Sequence, residues 1–305
     1  MRAVQFDRYG DLDVLEVREV ADPVANSGRV VVRVRAAAVN PGEDLIRSGA
    51  TAAIWPATFP SGQGSDFAGE IIALGDDVTG FEVGDEVISW TNERASHAEL
   101  VAVPADHVVF KPQELSWEVA GSLFVAPFAA LASVRAVAAG PGDYVGVSAA
   151  AGGVGSVAIQ LLRRAGATVI GLAGPANHDW LRAHGVIPVT YGVGQEDRIK
   201  DAANGRLDAF IDLFGGGYVE LAVNLGVQPS RINTVIDLEG ARNYGVKSEG
   251  HTTVASAENL AMLADLVAAG SIEIPIAGTY PLDRVRDAYA DLNARHTHGK
   301  IVLRP

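Results

Sequence analysis

The sequence predicts an α/β protein of two domains, a β-barrel domain that the chain leaves and re-enters and a doubly wound parallel-sheet domain. Three observations predict it. Short apolar runs broken by turn residues fill positions 1–115, strand and helix patterns alternate through 116–255, and the 256–305 segment returns to the character of the first.

The barrel-like part opens with AVQF, DVLEVREV and RVVVRVRAAAV, with Asp22-Pro23 and Asn26-Ser27-Gly28 as turn signals between them. GEIIALGDDVTGFEVGDEVISW, punctuated by Gly75, Gly80 and Gly84, continues the pattern, and ELVAVPADHVVFKP closes it. Ser116 then supplies an N-cap with Glu118 in the first turn, and the alanine-rich stretch to Ala139 reads as one helix. Beyond it, DYVGVSA, ATVIGLA, LDAFIDLF and INTVID read as strands separated by helical stretches such as GSVAIQLLRRAG and HDWLRAHG, the pattern of βαβ units on a parallel sheet. After Ser256 come a helix (AENLAMLADLVAAG), a strand (SIEIPIAG), a helix (LDRVRDAYADLN) and a short strand (KIVL). Residues 1–115 and 256–305 therefore form one discontinuous domain, and 116–255 the other.

Composition narrows the function. Lys plus Arg number 24 against 37 Asp plus Glu, a net charge of −13, which repels phosphate backbones and anionic lipid and argues against nucleic-acid or membrane partners. No apolar run approaches the roughly 20 residues that span a bilayer, so a cytoplasmic protein is expected. The chain has no cysteine, which excludes disulfides, thiolate nucleophiles, iron–sulfur clusters and any zinc site built on sulfur.

The most informative stretch is YVGVSAAAGGVGSVAIQLLRRAGATVIGLA: strand, small-residue turn, amphipathic helix, strand. Ala149, Gly152 and Gly155 occupy the three positions of a GxGxxG spacing, with alanine at the first. Gly152 lets backbone approach a pyrophosphate, Gly155 lets helix approach strand, and the amides near Gly153, Val154 and Gly155 meet the anion at a helix start. An ordinary tight turn has the same glycines; the strand before and the helix after are what turn the pattern into a dinucleotide site. About 20 residues on, an NAD site offers Asp or Glu to the ribose. Here Gly171 to His178 contains no carboxylate, so a 2′-phosphate is not repelled, and Gly174, Asn177, His178, Arg182 and Tyr191 are the candidates around it. NADP(H) is the expected cofactor.

With AVQFDRYGD, RVRAAAVNPGEDLIRSG, GSDFAGEI, VTGFEVGDEV, AELVAVP, the glycine turn and HGKIVL in place, the chain resembles, nearly end to end, the medium-chain dehydrogenase/reductase superfamily in its zinc-independent quinone oxidoreductase branch. The resemblance implies a GroES-like β-barrel domain joined to a Rossmann domain, a small quinone or enone substrate, and a homodimer. In the zinc-dependent branch a Cys stands where this chain has Asn40 and a His-Glu pair where it has Ser65 and Asp66. His296 and His298 have no nearby ligand partners in sequence and read as surface residues.

By resemblance Asn40 faces nicotinamide and substrate; the other role open to it is a buried asparagine bonding backbone. Asp44, the second candidate catalytic residue, matches a frequent family aspartate whose other role is to organise this loop, and Gly215 and the Lys300 region lie near the cofactor in relatives, Lys300 meeting phosphate or capping the last strand. Leu45, Thr51 and Ala129 replace residues that well-studied members use in the site. Trp55, Trp90, Phe124 and Phe128 are candidate pocket walls, with core packing as the competing role. The expected function is NADPH-dependent hydride transfer to a quinone or α,β-unsaturated carbonyl without metal. The alternatives are a specialised-metabolite reductase or dehydrogenase of the same fold and a non-catalytic NADP(H)-binding redox sensor.

Overall fold

The computed structural model describes residues 1 to 305. It divides into two compact units, Met1–Val125 with Ser256–Pro305, and Ala126–Ala255. Residues 116–125 thus belong with the barrel rather than with the parallel sheet.

The alanine-rich stretch is two helices, Trp117–Ala120 and Val125–Val137, not the single helix expected from Ser116 to Ala139. The break has a local cause. Gly121 accepts a hydrogen bond from Ala38 N–H at 3.1 Å, and a Cβ on Gly121 would lie 2.5 Å from the Ala36 oxygen, so the chain presses against the longest strand there and cannot coil on. Ser116 does cap the first helix, its side chain accepting from Val119 N–H.

That longest strand, Arg29–Val39, organises the first unit. It pairs antiparallel with Asp66–Leu74, Leu100–Pro104 and Lys300–Arg304. Val30, Val32 and Val34 on it meet Phe67, Ile71, Val87 and Val101 in an apolar core, while Arg33 and Arg35 between them face out. The last strand, Lys300–Arg304, sets Ile301, Val302 and Leu303 against Val39, Ala38 and Ala37, and in doing so brings the start of KIVL to the end of the long strand at Asn40. Ile276–Pro281 joins it in parallel; this strand begins only after Pro275, later than the SIEIPIAG run suggested, although Ile272 and Ile274 are buried. Proline removes the ladder donor, which explains the late start.

The second unit holds five parallel strands in the order Ile187–Val189, Thr168–Leu172, Tyr144–Val147, Ala209–Asp212, Ile232–Thr234. Ile187–Val189 was not among the expected strands; three residues around Pro188 carry almost no strand signal, and only an edge position tolerates that proline. Adjacent residues feed opposite faces. Val169 and Ile211 pack with Val145, Ile159 and Leu162, whereas Ile170 and Phe210 pack with Ile199, Val219 and Ile232, so both faces are covered. From Tyr144–Val147 the chain crosses first to one side and later to the other, and the switch lies between this strand and Ala209–Asp212. Ligands of such sheets bind outside the carboxyl ends at that switch.

The helix Gly153–Arg164 after the first strand packs unusually close. A Cβ on Gly155 would stand 2.2 Å from the Ala149 oxygen and 2.8 Å from Ala150 carbon, all backbone that cannot swing aside. Gly155→Ala should therefore lower the unfolding free energy by about 2 kcal/mol, as overpacking does; urea denaturation of the two proteins measures it, and equal midpoints would mean the approach is not tight.

Candidate functional site

The turn that feeds this helix is Ser148 to Gly152. Ala149 adopts φ 47°, a left-handed conformation that costs a non-glycine residue roughly 1 kcal/mol, and Gly152 N–H closes the turn on its oxygen at 2.9 Å. Gly152 is the helix N-cap, and a Cβ there would meet only the Ala149 oxygen within 4 Å, so its remaining side is open to a ligand. Gly153, Val154 and Gly155 form the first turn, whose amides lack a carbonyl one turn earlier and carry the positive end of the helix dipole. An open glycine, a bend and unpaired first-turn amides fit a pyrophosphate.

The end of Thr168–Leu172 leads through Pro175–Asn177 into the helix His178–Ala183. His178 Nε2 lies 3.1 Å from the Ala173 oxygen and, facing a carbonyl, carries the proton there. Tyr191 is 51% exposed, with its hydroxyl 3.7 Å from where a Gly174 Cβ would stand, so Gly174, His178 and Tyr191 cluster around this strand end. Asn177 is half-buried beside them. Arg182 differs from its expected part: it pairs with Asp179 at 2.7 Å on the exposed side of the helix.

Beyond the switch, Ala209–Asp212 runs into Leu213 and Phe214 and then three glycines, Gly215, Gly216 and Gly217, all with positive φ. Asp212 is fully buried and its carboxylate ties this loop down. One oxygen accepts from Ser148 Oγ at 2.9 Å and from Phe214 and Gly215 N–H at 3.0 Å; the other accepts from Thr234 Oγ1 at 2.8 Å. Ser148 Oγ in turn accepts from Leu213 N–H at 2.8 Å, fastening the loop to the glycine turn. Composition gives no hint of Asp212; the signal is an aspartate closing an apolar strand three residues before a glycine run.

In the first unit, Asn40 ends the longest strand and caps the helix Pro41–Ser48, with Glu43 returning a carboxylate to Asn40 N–H at 3.0 Å. Its side chain is a node. Nδ2 donates to Glu43 Oε1 at 3.0 Å and Asp66 Oδ1 at 3.2 Å, and Oδ1 accepts from Lys300 Nζ at 2.5 Å. Both amide hydrogens are thus engaged inside the protein and Asn40 is 2% exposed, so it organises a buried cluster and has no donor left to offer a substrate. Lys300 is corrected in the same way: its ammonium is buried on Asn40 and the Val39 oxygen, neither a phosphate partner nor a simple strand cap. Tyr289 donates to Glu43 at 2.8 Å and accepts from Gln63 Nε2 at 2.9 Å.

Burial pushes the Asp66 carboxyl up to about 7, against the pull of the Lys300 charge, and Glu43 adds to the rise. Burial also lowers Lys300, opposed by Asp66 and Glu43, and lowers His97, whose Nε2 donates to the Ala38 oxygen at 3.0 Å. No three His, Asp or Glu side chains converge as a metal cage anywhere in the chain.

Asp44 is not part of this node; its carboxylate takes Arg47 and Asn293 Nδ2, holding the helix to its neighbours. Of the aromatic candidates, Trp90 stacks on Phe124 at 4.8 Å and on His107 at 4.2 Å, and all but His107 are buried, while Phe128 is wholly buried in the second unit. These three are core. Only Trp55 is exposed, at 50%. Thr51 Oγ1 is buried without a partner.

A discontinuous barrel and a dinucleotide cradle at a parallel-sheet switch point define a two-domain, NAD(P)-dependent oxidoreductase. Residues 26–113 match the alcohol dehydrogenase GroES-like domain model and residues 181–303 the zinc-binding dehydrogenase model. The quinone oxidoreductase of Lama guanicoe is 31% identical over 324 residues, covering 99% of this chain and 97% of that one. The chloroplast envelope quinone oxidoreductase homolog of Arabidopsis thaliana is 28% identical over 328 residues, covering 100% and 98%. A solved structure, the quinone oxidoreductase of Coxiella burnetii, is 30% identical with a TM-score of 0.89 and covers 100% and 99%. The chain belongs to the medium-chain dehydrogenase/reductase superfamily, in its quinone oxidoreductase branch. No helix is long and apolar enough to cross a membrane.

Two outcomes follow from the Asn40 node. Asn40→Ala leaves a buried carboxylate and a buried ammonium each short of a partner, which should cost about 2–4 kcal/mol in chemical denaturation; a loss under about 0.5 kcal/mol would mean the node is wet. For Asp66, the folded state holds a proton that the unfolded chain releases near pH 4. This contribution to stability is fully present below the unfolded value and is lost as pH rises through about 7. Thermal midpoints of wild type minus Asp66→Asn should therefore decline from pH 4 to 7, and a flat difference contradicts the assignment.

Proposed function

We propose that this chain is an NADPH-dependent reductase of quinones or α,β-unsaturated carbonyls that works without metal. The observation that carries it is the built anion cradle at Ala149 to Gly155, followed by a strand end free of carboxylate. The amides of Gly153, Val154 and Gly155 hold the pyrophosphate, Gly152 lets it approach, and the loop at Gly215 borders the opposite side of the switch. Asn177 and Tyr191 around Gly174 offer donors to a 2′-phosphate, with His178 engaged on the Ala173 oxygen beside them, where a carboxylate would instead select the free ribose hydroxyls. When bound, the nicotinamide supplies a hydride.

The chemistry of the Asn40 node argues for metal-free operation. Zinc takes thiolate, imidazole or carboxylate, yet this chain has no cysteine, its buried imidazole His97 faces a carbonyl, and an ammonium, Lys300, sits among the carboxylates. A cation fixed there competes with any metal. Without a Lewis acid, acceptors that spread incoming charge over a conjugated system are favoured over isolated ketones, because less charge accumulates on one oxygen. Asn40 enters this reading as the residue that positions Lys300 and Asp66. Asp44, tied to Arg47 and Asn293, keeps the helix beside it in place.

Gly152→Asp sets a carboxylate in the cradle. Reduced-coenzyme fluorescence titration should show binding weakened at least about a hundredfold with the thermal midpoint within a few degrees of wild type, since charge repulsion in a desolvated site is worth several kcal/mol. Unchanged affinity would move the cofactor elsewhere. A panel of quinones, enones and simple ketones monitored by NADPH oxidation assigns the acceptor; intact binding with no turnover of any of them would favour a non-catalytic sensor, and activity confined to a few enones a specialised-metabolite reductase.

A further inference from the structure

Asp212 is a buried anion with no cation among its hydrogen-bond partners. All four are neutral donors, two hydroxyls and two backbone amides, and they converge on its two oxygens from three neighbouring strand ends. Ser148 follows the first strand, Asp212 ends the strand across the switch, and Thr234 ends the next one, where its hydroxyl also accepts from Ile236 and Asp237 N–H at 3.3 and 3.0 Å. An ionised carboxylate only accepts, and here every contact donates, so the arrangement is built for the charged form. The charge is also felt nearby: burial raises the Tyr218 phenol, and Asp212 adds to the rise.

Holding two loops is one task for such a group, and an asparagine there keeps an oxygen for the three donors on one side while losing the acceptor that Thr234 uses on the other. The position suggests what the charge is for. A dinucleotide lying across this switch places its adenosine ribose at the end of Thr168–Leu172 and its pyrophosphate on the helix at Gly153. Its other end would then lie toward the loop at Phe214 to Gly217 that Asp212 ties down, where Phe214 and Ile236 are exposed at 42% and 38%. At that end the ring is neutral when reduced and carries one positive charge when oxidised.

We propose that Asp212 is an electrostatic positioning residue, a fixed buried anion that favours the oxidised coenzyme over the reduced one and so makes the bound coenzyme a stronger hydride donor. The inference rests on the cofactor site of the proposed function. The balance is simple: the reduced ring gives up a hydride and becomes cationic, the acceptor gains the hydride and takes one proton from solvent, and the buried carboxylate stabilises the charge created. It touches neither acceptor nor transferred hydrogen.

The test is equilibrium binding, not turnover. Dissociation constants for the oxidised and reduced forms of both NADP(H) and NAD(H) are measured for wild type and Asp212→Asn, the reduced form by fluorescence and the oxidised form by displacement. A purely structural aspartate weakens both forms alike. The proposal expects the ratio of oxidised to reduced dissociation constants to rise about tenfold in Asp212→Asn, the order expected for one charge acting across several ångströms of protein. Equal weakening of both forms, or an unchanged ratio, overturns it. If Asp212→Asn does not fold, Asp212→Ser serves as a second neutral replacement that keeps an acceptor oxygen. The same rise in the ratio is expected, and no change again overturns the proposal. Wild type that binds neither form removes the proposed function as well, whereas wild-type binding with an unmoved ratio removes only the role of Asp212.

Discussion

The approach of one helix to one strand end governs the second unit. Gly155 lies so near the Ala149 oxygen that the turn between them has almost no latitude, and Ala149 is held in a left-handed conformation to complete it. A looser turn would remove that strain, but it would also swing the first-turn amides away from the switch point, where the two directions of chain crossing leave a crevice. The strain at Ala149 is small, and it falls at the turn that the proposed function assigns to the pyrophosphate. Ser148, one residue before the strained alanine, then hands the same turn to Asp212 and the loop beyond.

The two buried polar clusters solve the same physical problem in opposite ways. Around Asp212 a carboxylate is held by neutral donors alone, two hydroxyls and two backbone amides. Around Asn40 an ammonium and carboxylates are held within one hydrogen-bonded node, and the amide between them, donating on one side and accepting on the other, lets unlike charges share a dry site. The field of that node is largely internal. Its consequence is a proton held by Asp66 near neutrality and a lysine buried at the end of a strand, where a single neutral substitution would leave the rest unbalanced.

Much of the architecture was legible because it is written in local pattern. The apolar runs found the principal strands of the parallel sheet, and the spaced glycines found the turn, since helix and strand periods and positive φ are properties of neighbouring residues. Partnership across the chain was not. Lys300 reaches Asn40 from 260 positions away and Tyr289 reaches Glu43 from 246, distances over which sequence carries no pairing signal. From sequence Asn40 is open to two roles, facing a ligand or buried, and its three side-chain partners hold it in a buried node. The same limit made Trp90 and Phe124 look like pocket walls, although each ring is stacked on the other. Gly121 deceived differently: alanine on both sides promised a continuous helix, and the oxygen of Ala36, far away in sequence, forbade it.

The absence of sulfur ligands and the presence of Lys300 bear on one question, how charge that develops on a reduced acceptor is stabilised. A metal stabilises it on one oxygen; a conjugated acceptor stabilises it on itself, which shifts the demand from the acceptor side of the reaction to the donor side. An enzyme without a Lewis acid then gains most by making hydride departure easier. The role proposed for Asp212, a buried carboxylate at the carboxyl end of a central strand, lies on that side, because an anion favours the cation that remains when the hydride has gone. The two proposals answer to different chemistry: metal-free reduction rests on the ammonium held among carboxylates at Asn40, and the proposed role of Asp212 rests on a carboxylate bonded by neutral donors.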